Sequence, residues 1–497
     1  MTRKVALIVI SFFLFGASFA SAAPKSLIRI DGLTLEQVRD IGMRGFDVAK
    51  AGPTFVEVVV NGTERKKLAP VSTQVKVLIP DLDAYITAIL SKQTREAKYY
   101  TYETMTATLQ GWAEKYSSIA RLESIGKTWE GREIWAMKVS DNPQTDEPEP
   151  AVLIMGANHA REWISVEVPM ETLKQYLEGY GTDPRLTELV NGREVWFVPM
   201  ANPDGITYSM NKSRYWRKNR RNNNNRDYGV DMNRNYGYKW GNVGASNSFS
   251  SDTYHGPNAW SEPETQAIKM LAEREHFQGS ASFHSYSELI LYPFGYGYNI
   301  PCEDTPTLAK LAGEMAKFNQ YTPQNSADLY PAMGDSDDWL YGDHKTLAFT
   351  FELAQTFIPA PAEIAGINQL NVPAMFHLID KAAAYGLTKP TGADPALHAG
   401  LSLSEAIRSL SAAQAVAGLY QGESRARVQE QLNRISNRLA ELVLVDLEKG
   451  SLDSFRRLKN LPEAAAAVKI AQEKANFKSL HGESFNHEVS SEMSLQR

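Results

Sequence analysis

The sequence predicts an α/β fold, a mostly parallel sheet with helices on both faces, preceded by a small α+β unit and followed by a helical extension. Three observations carry this expectation. Short apolar runs of strand length alternate with helical stretches through the middle of the chain, the pattern of parallel strands joined by crossovers. A compact block of alternating, strand-like segments comes before them. After Lys389-Pro390-Thr391-Gly392-Ala393-Asp394-Pro395 the texture turns helical. At 497 residues, with 43% hydrophobic and 22% charged side chains, the chain is globular and too long for a single ordinary domain.

Taken in order, residues 1–22 have the layout of a secretory signal peptide: Arg3 and Lys4, an apolar run from Val5 to about Phe15, and small residues ending in Ala20-Ser21-Ala22. The run is shorter than the roughly 20 residues that span a bilayer, so a cleaved leader is expected, with no stable membrane anchor after its removal. The expected location is secreted or periplasmic. Export often brings disulfides, but Cys302 is the only cysteine, so packing, together with any bound metal, must supply stability.

Residues 23–98 form the α+β unit. Ser26 to Ile30, Thr54 to Val60 and Val75 to Ile79 read as strands, and Leu35, Val38 and Ile41 mark a helix between the first two. Strands and helices interleaved in so few residues suggest a ferredoxin-like sandwich. The polar, basic stretch Lys92-Gln93-Thr94-Arg95-Glu96-Ala97-Lys98 follows as a processing linker.

From Tyr99 to Pro390 the clearest strands are Val152 to Met155, Val195 to Val198, Ala281 to Phe283 and Leu347 to Phe351. His159, Asn202-Pro203-Asp204-Gly205, His284 and Glu352 all fall at or just past the C-terminal ends of these strands, the edge where open α/β sheets bind ligands. His159-Ala160-Arg161-Glu162 offers an imidazole and a carboxylate, and His284 offers a second imidazole. Three such ligands, with the fourth position left to water, are what a catalytic zinc site needs. In the last strand Glu352 shares a face with Ala348 and Thr350, opposite Leu347, Phe349, Phe351 and Leu353, so its carboxylate is placed to enter a cleft as a base.

His159-x-x-Glu162 alone is a weak signal. Joined in order by Trp216-Arg217, Asn233-Arg234, His284-Ser285-Tyr286, Tyr330 and Phe351-Glu352-Leu353, it resembles the zinc metallocarboxypeptidases of the pancreatic carboxypeptidase A and B type, over roughly residues 99–390. The resemblance implies a mixed, twisted sheet and one Zn²⁺ held by His159, Glu162 and His284. It further implies Glu352 as general base, Arg217 as the oxyanion's partner, and Asn233, Arg234 and Tyr330 on the substrate's terminal carboxylate. Arg161 and Tyr286 would line subsites upstream of the scissile bond. The N-terminal unit would be a pro-segment covering the cleft, released by an activating protease. Asp338-Trp339 aligns with the family's Asp-Trp pair, which puts Asp337 at the floor of the specificity pocket, with Gly295 and Asn325 near other pocket positions. An acid there favours peptides ending in Lys or Arg, with hydrophobic ends as the second choice. Peptide and protein C-termini are the expected substrates. A cell-wall peptide carboxypeptidase, an amide hydrolase acting on small acylated amino acids and a catalytically silent peptide-binding protein are the alternatives.

The net charge of −6 argues against a nucleic-acid partner, although Arg214, Arg217, Lys218, Arg220 and Arg221 cluster around Tyr215 and Trp216. Residues 391–497 form a helical extension of unknown role: Ser402 and Glu405 suggest a capping box, and Val428, Leu432, Ile435, Leu439 and Leu442 recur at alternating steps of four and three.

Overall fold

A computed structural model describes residues 24–68, 71, 74–91, 98–224 and 227–385. They belong to the first of two units, Met1–Thr391; the second is Gly392–Arg497. The leader expected over residues 1–22, most of the linker and the C-terminal helices lie outside the described residues.

The N-terminal elements run β1 (Ser26–Asp31), α1 (Leu35–Met43), β2 (Asp47–Gly52), β3 (Phe55–Val60), α2 (Gly62–Leu68), β4 (Val75–Ile79) and α3 (Leu82–Ser91). The strands pair in the order β2-β3-β1-β4, every neighbour antiparallel, which is the split βαβ arrangement of the ferredoxin-like sandwich. Alternation explains β3 and β1: Ile28, Ile30, Val56, Val58 and Val60 share one core with Val38 and Ile41 of α1. The helix starts where Thr34 and Gln37 form a reciprocal capping box. Two elements escaped the sequence reading. β2 mixes Asp47 and Lys50 into its run, and α2 is a short, mostly exposed turn of charged residues.

The larger part follows as α4 (Tyr102–Lys115), β5 (Ala120–Lys127), β6 (Glu133–Val139), β7 (Ala151–Gly156), α5 (Ile164–Gly179), α6 (Pro184–Val190), β8 (Glu194–Val198) and α7 (Pro203–Asn211). It continues through α8 (Pro263–Glu275), β9 (Gly279–Ser285), β10 (Leu289–Tyr292), α9 (Thr305–Asn319), β11 (Thr322–Asn325), α10 (Ser326–Leu329), α11 (Ser336–His344), β12 (Leu347–Leu353) and α12 (Ile364–Tyr385). Its eight-stranded sheet has the order β11-β10-β12-β9-β7-β8-β6-β5. The four strands expected most clearly, β12, β9, β7 and β8, are its parallel centre, and antiparallel pairs flank them, so the sheet is mixed.

Burial on both faces explains why the central strands read as continuous apolar runs. In β7, Val152 and Ile154 join the core shared with α5, α9 and α12, while Ala151, Leu153 and Met155 join the core beneath α8 and α11. Leu27, Ala49, Val59, Leu82 and Ile86 of the N-terminal elements belong to the first of these cores, so the small sandwich packs directly on the large domain. No described helix is long and apolar enough to cross a membrane.

Candidate active site

Parallel strands end together, and the residues just past their C-terminal ends converge. After β7 the chain must double back at once. Gly156 permits this, because a Cβ there would stand 2.1 Å from the Ser165 carbonyl oxygen. The turn puts His159 and Glu162 immediately before α5; β9 delivers His284, and the neighbouring β12 delivers Glu352 in register opposite it.

Three donors meet there. His159 Nδ1 lies 2.9 Å from Glu162 Oε1 and 3.1 Å from His284 Nδ1, and His284 Nδ1 lies 3.0 Å from Glu162 Oε2. All three residues are buried. Asp231 Oδ1 stands 3.2 Å from His159 Nε2 and, as a carboxylate, only accepts, so Nε2 carries the ring proton and Nδ1 turns its lone pair inward. Lone pairs facing each other at such distances call for a cation. The edges of a tetrahedron of zinc ligands are ~3.3 Å, close to the separations here, and the donor set of two imidazoles and a carboxylate suits that metal.

Arg217 extends from the segment after α7, its Nε 2.9 Å from Asp231 Oδ2. Asp231 also receives the Asn233 amide, at the start of the turn that carries Asn233 and Arg234. Asn233 Oδ1 accepts from the Ser336 amide at the head of α11, and Arg234 Nη2 points to the Tyr330 hydroxyl at 3.4 Å. The basic cluster seen in the sequence therefore splits. Arg217 enters the site, whereas Arg220 stacks on Tyr208, Trp216 and Tyr228.

A recess of about 50 Å³ adjoins these residues, lined among others by Asn233, Arg234, Gly295, Tyr330, Asp335, Asp337 and Glu352. Asp337 and Gly295 both line this recess, and a Cβ on Gly295 would come within 3.4 Å of Asp335 Oδ2. Asn325 does not line the recess: its side chain caps α10 by accepting from Ala327 and donates to the Tyr292 carbonyl. Asp335, missed in the sequence, caps α11 through its Oδ1 and the Asp338 amide. The signal was present, since Asp335 precedes a helical stretch at the N-cap position. Burial, then the neighbouring acid, pushes Asp337 up to about 8, and Asp335 is raised to about 6, also chiefly by burial. No described lysine or arginine forms an ion pair with either. Glu352 is also raised to about 8, by burial first and the Glu162 charge second.

Arg161 and Tyr286, the residues expected to line upstream subsites, are covered. Arg161 Nη1 and Nη2 meet Asp47 Oδ2 and Oδ1 at 2.6 and 2.7 Å, and Arg217 Nη1 lies 3.6 Å from the same carboxylate. Tyr286 donates its hydroxyl to Glu57 at 2.9 Å. Both acids come from the N-terminal sandwich, whose α1 also approaches Tyr330: a Cβ on Gly42 would lie 2.9 Å from the Tyr330 Cβ. No local pattern marked Asp47, because its partners are more than a hundred residues away.

Residues 105–374 match the family model described as zinc carboxypeptidase. A zinc carboxypeptidase of Saccharothrix mutabilis subsp. capreolus is 32% identical over 388 residues, 72% of this chain and 89% of that protein. Human carboxypeptidase B is 34% identical over 298 residues, 57% of this chain and 70% of its own. The crystal structure of carboxypeptidase A from Helicoverpa armigera superposes with a TM-score of 0.66 at 25% identity, covering 73% of this chain and 98% of that one.

Proposed function

Because the chain belongs to the zinc carboxypeptidase family, whose members hydrolyse C-terminal peptide bonds with a catalytic Zn²⁺, we propose that it is an exported precursor whose mature form releases C-terminal Lys and Arg. The observation that carries the specificity is the pair of buried carboxylates, Asp335 and Asp337, in one recess with no ion-pair partner among the described residues. A desolvated carboxylate without a cation is costly, and a substrate ammonium or guanidinium offsets that cost. Leu291, Leu329 and Ala332 also line the recess, so an aliphatic end is the lesser substrate.

His159, Glu162 and His284 hold the metal, which supplies Lewis acidity and a water of lowered pKa when bound. Glu352, in register opposite His284 and lining the recess, takes the proton of the attacking water and returns it to the leaving amine. Arg217, fixed by Asp231, donates to the oxyanion. Asn233, Arg234 and Tyr330 hold the substrate's terminal carboxylate, for which a guanidinium's planar fork is suited. Arg161 and Tyr286 serve the residues upstream.

In the precursor Asp47 presents a carboxylate to Arg161 and Arg217, and Glu57 takes Tyr286, so the N-terminal sandwich occupies the substrate's polar partners. Release requires a second protease acting in the basic linker. The leader of residues 1–22 directs export to a secreted or periplasmic location. The reading is tested with the zinc-loaded mature chain on matched peptides ending in Arg, Lys, Leu and Phe. The expected result is a preference for Arg and Lys over Phe that falls by about 2 kcal/mol, some thirtyfold, in Asp337→Ala. A preference for Phe, or a ratio indifferent to the substitution, refutes it.

A further inference from the structure

A groove of about 630 Å³ that shares no lining residue with the catalytic recess runs between α5 and α12, lined by Lys98, Tyr100, Glu167, Glu171 and Asn368 among others. Glu167 is 4% exposed, and among the described residues its carboxylate accepts one hydrogen bond, from the Tyr100 amide to Oε1 at 2.8 Å. No described lysine or arginine pairs with it. Glu171, one helical turn on, adds a second negative charge, though its own Oε1 accepts from Gln175 and lies 3.8 Å from Lys174. Asn368, from the opposite wall, is nine-tenths buried, and its Oδ1 is enclosed with no hydrogen-bond partner. An enclosed carboxylate without a cation and an enclosed amide oxygen without a donor have the same deficit. Both lack a ligand that is positive and rich in N–H groups.

The chain itself can provide one. Lys98 is exposed and is the last residue of the basic linker, whereas Tyr99 is fixed: its hydroxyl donates to the Pro359 carbonyl at 2.7 Å and its ring meets Trp163 edge-on at 5.6 Å. The Tyr99 nitrogen is one residue, at most ~3.6 Å of chain, before the amide that already binds Glu167. We propose that the Glu167 groove is the receptor for the α-ammonium formed when the Lys98–Tyr99 bond is hydrolysed. A lysine-directed endopeptidase adds water across that bond. The hydroxyl goes to the Lys98 carbonyl carbon to give a carboxylate, and Tyr99 nitrogen leaves as the amine, protonated to an ammonium. The ammonium then pairs with Glu167 and donates to Asn368 Oδ1, so the cut creates an ion pair that the uncut chain lacks. Burial pushes the Glu167 carboxyl up to about 8, which agrees with a site waiting for its partner.

The inference rests on the processing step proposed above, and the two fail differently: activity before and after the cut reports on processing, amine reactivity on docking. The full precursor is given a site-specific endopeptidase sequence ending at residue 98, cut, and pulse-labelled with acetic anhydride. At pH 8 the Tyr99 α-amine should acetylate at least about tenfold more slowly than in a cut Glu167→Gln chain. In the unaltered cut chain, the pH dependence of labelling should place the amine's pKa above the ~8 of a free α-amine. Equal labelling rates, or an α-amine pKa of ~8 or lower in the unaltered chain, would overturn the proposal; the second measurement stands even if the variant does not fold.

Discussion

Two sets of buried carboxylates face one cleft and behave in opposite ways. Asp47, at the metal end, is 5% exposed, and Asp337, at the pocket end, is 4% exposed. Burial is the largest influence on both and raises both. Yet Asp47 ends below its ordinary value, because Arg161 and Arg217 outweigh burial, while Asp337 ends at about 8, because its nearest charged neighbour is another acid. Asp231 repeats the first case, with Arg217 and His159 holding it well down, whereas Asp335 is raised by burial only to about 6, because Arg234 offsets part of that burial. Burial therefore does not decide whether these acids carry charge. The positive charges nearby do. The metal end is balanced within the chain, and part of that balance is lent by the N-terminal sandwich. The pocket end is left short of positive charge, which on the proposed reading the substrate brings.

Glu352 stands between the two ends, touched by the fields of Glu162 on one side and Asp337 on the other. Replacing it with Gln should give the largest effect: a fall in kcat of about 10²–10⁴ with zinc content unchanged, read by steady-state kinetics beside metal analysis. A loss under tenfold would move the base elsewhere and break the division into two ends. The next effect belongs to the borrowed charge. Asp47→Ala leaves the Arg161 guanidinium buried without its partner, a loss of about 3–5 kcal/mol. The uncut chain should then gain activity by about a hundredfold or more on a short peptide. The pH dependence follows from the direction of the shift. A carboxylate depressed in the folded state contributes stability above its unfolded value, near 4, and loses it only as pH falls through the lower, folded value. On the proposed inhibitory reading, lowering the pH from 7 to 5 should thus leave the uncut chain no more active than before. Activation by mild acid would mean that another group holds the sandwich in place.

The two ends also differ in how far the sequence disclosed them. His159, Glu162, His284 and Glu352 lie beside long apolar strands, so local periodicity placed them on one edge, and their chemistry suggested a metal. Asp337 was legible only by its offset from Asp338-Trp339. Asp47 and Glu57 were silent, because a salt bridge across 114 residues and a hydrogen bond across 229 leave no local trace. β2 went unread for a related reason: Asp47 and Lys50 break its apolar alternation. Asp335 was hidden by a second duty, since an acid before a helix is sufficiently explained as a cap. Asn325 shows the converse, a pocket position by alignment that the fold spends on capping α10.

The smallest effect concerns stability and gives the sign test of the comparison. Asp337 binds its proton more tightly in the folded chain, at about 8, than an ordinary aspartate near 3.8. The stability carried by its neutral form is complete below the lower value, is eroded as pH rises between the two, and is gone above about 8. Asn at this position has the same shape and no proton to lose. Asp337→Asn should therefore raise the thermal midpoint by a few degrees at pH 8 and leave it nearly unchanged at pH 4, with the difference opening across the interval. Asp335 titrates at about 6, where Asp337 is still neutral, so its carboxyl should be little changed in the variant, which carbon-detected NMR of the side chain can follow. If Asp337→Asn lowered the midpoint at pH 8, the Asp337 charge would be paired within the fold like that of Asp47. The pocket would then hold no unmet demand for a cation, and the proposed preference for Lys and Arg would lose its physical basis.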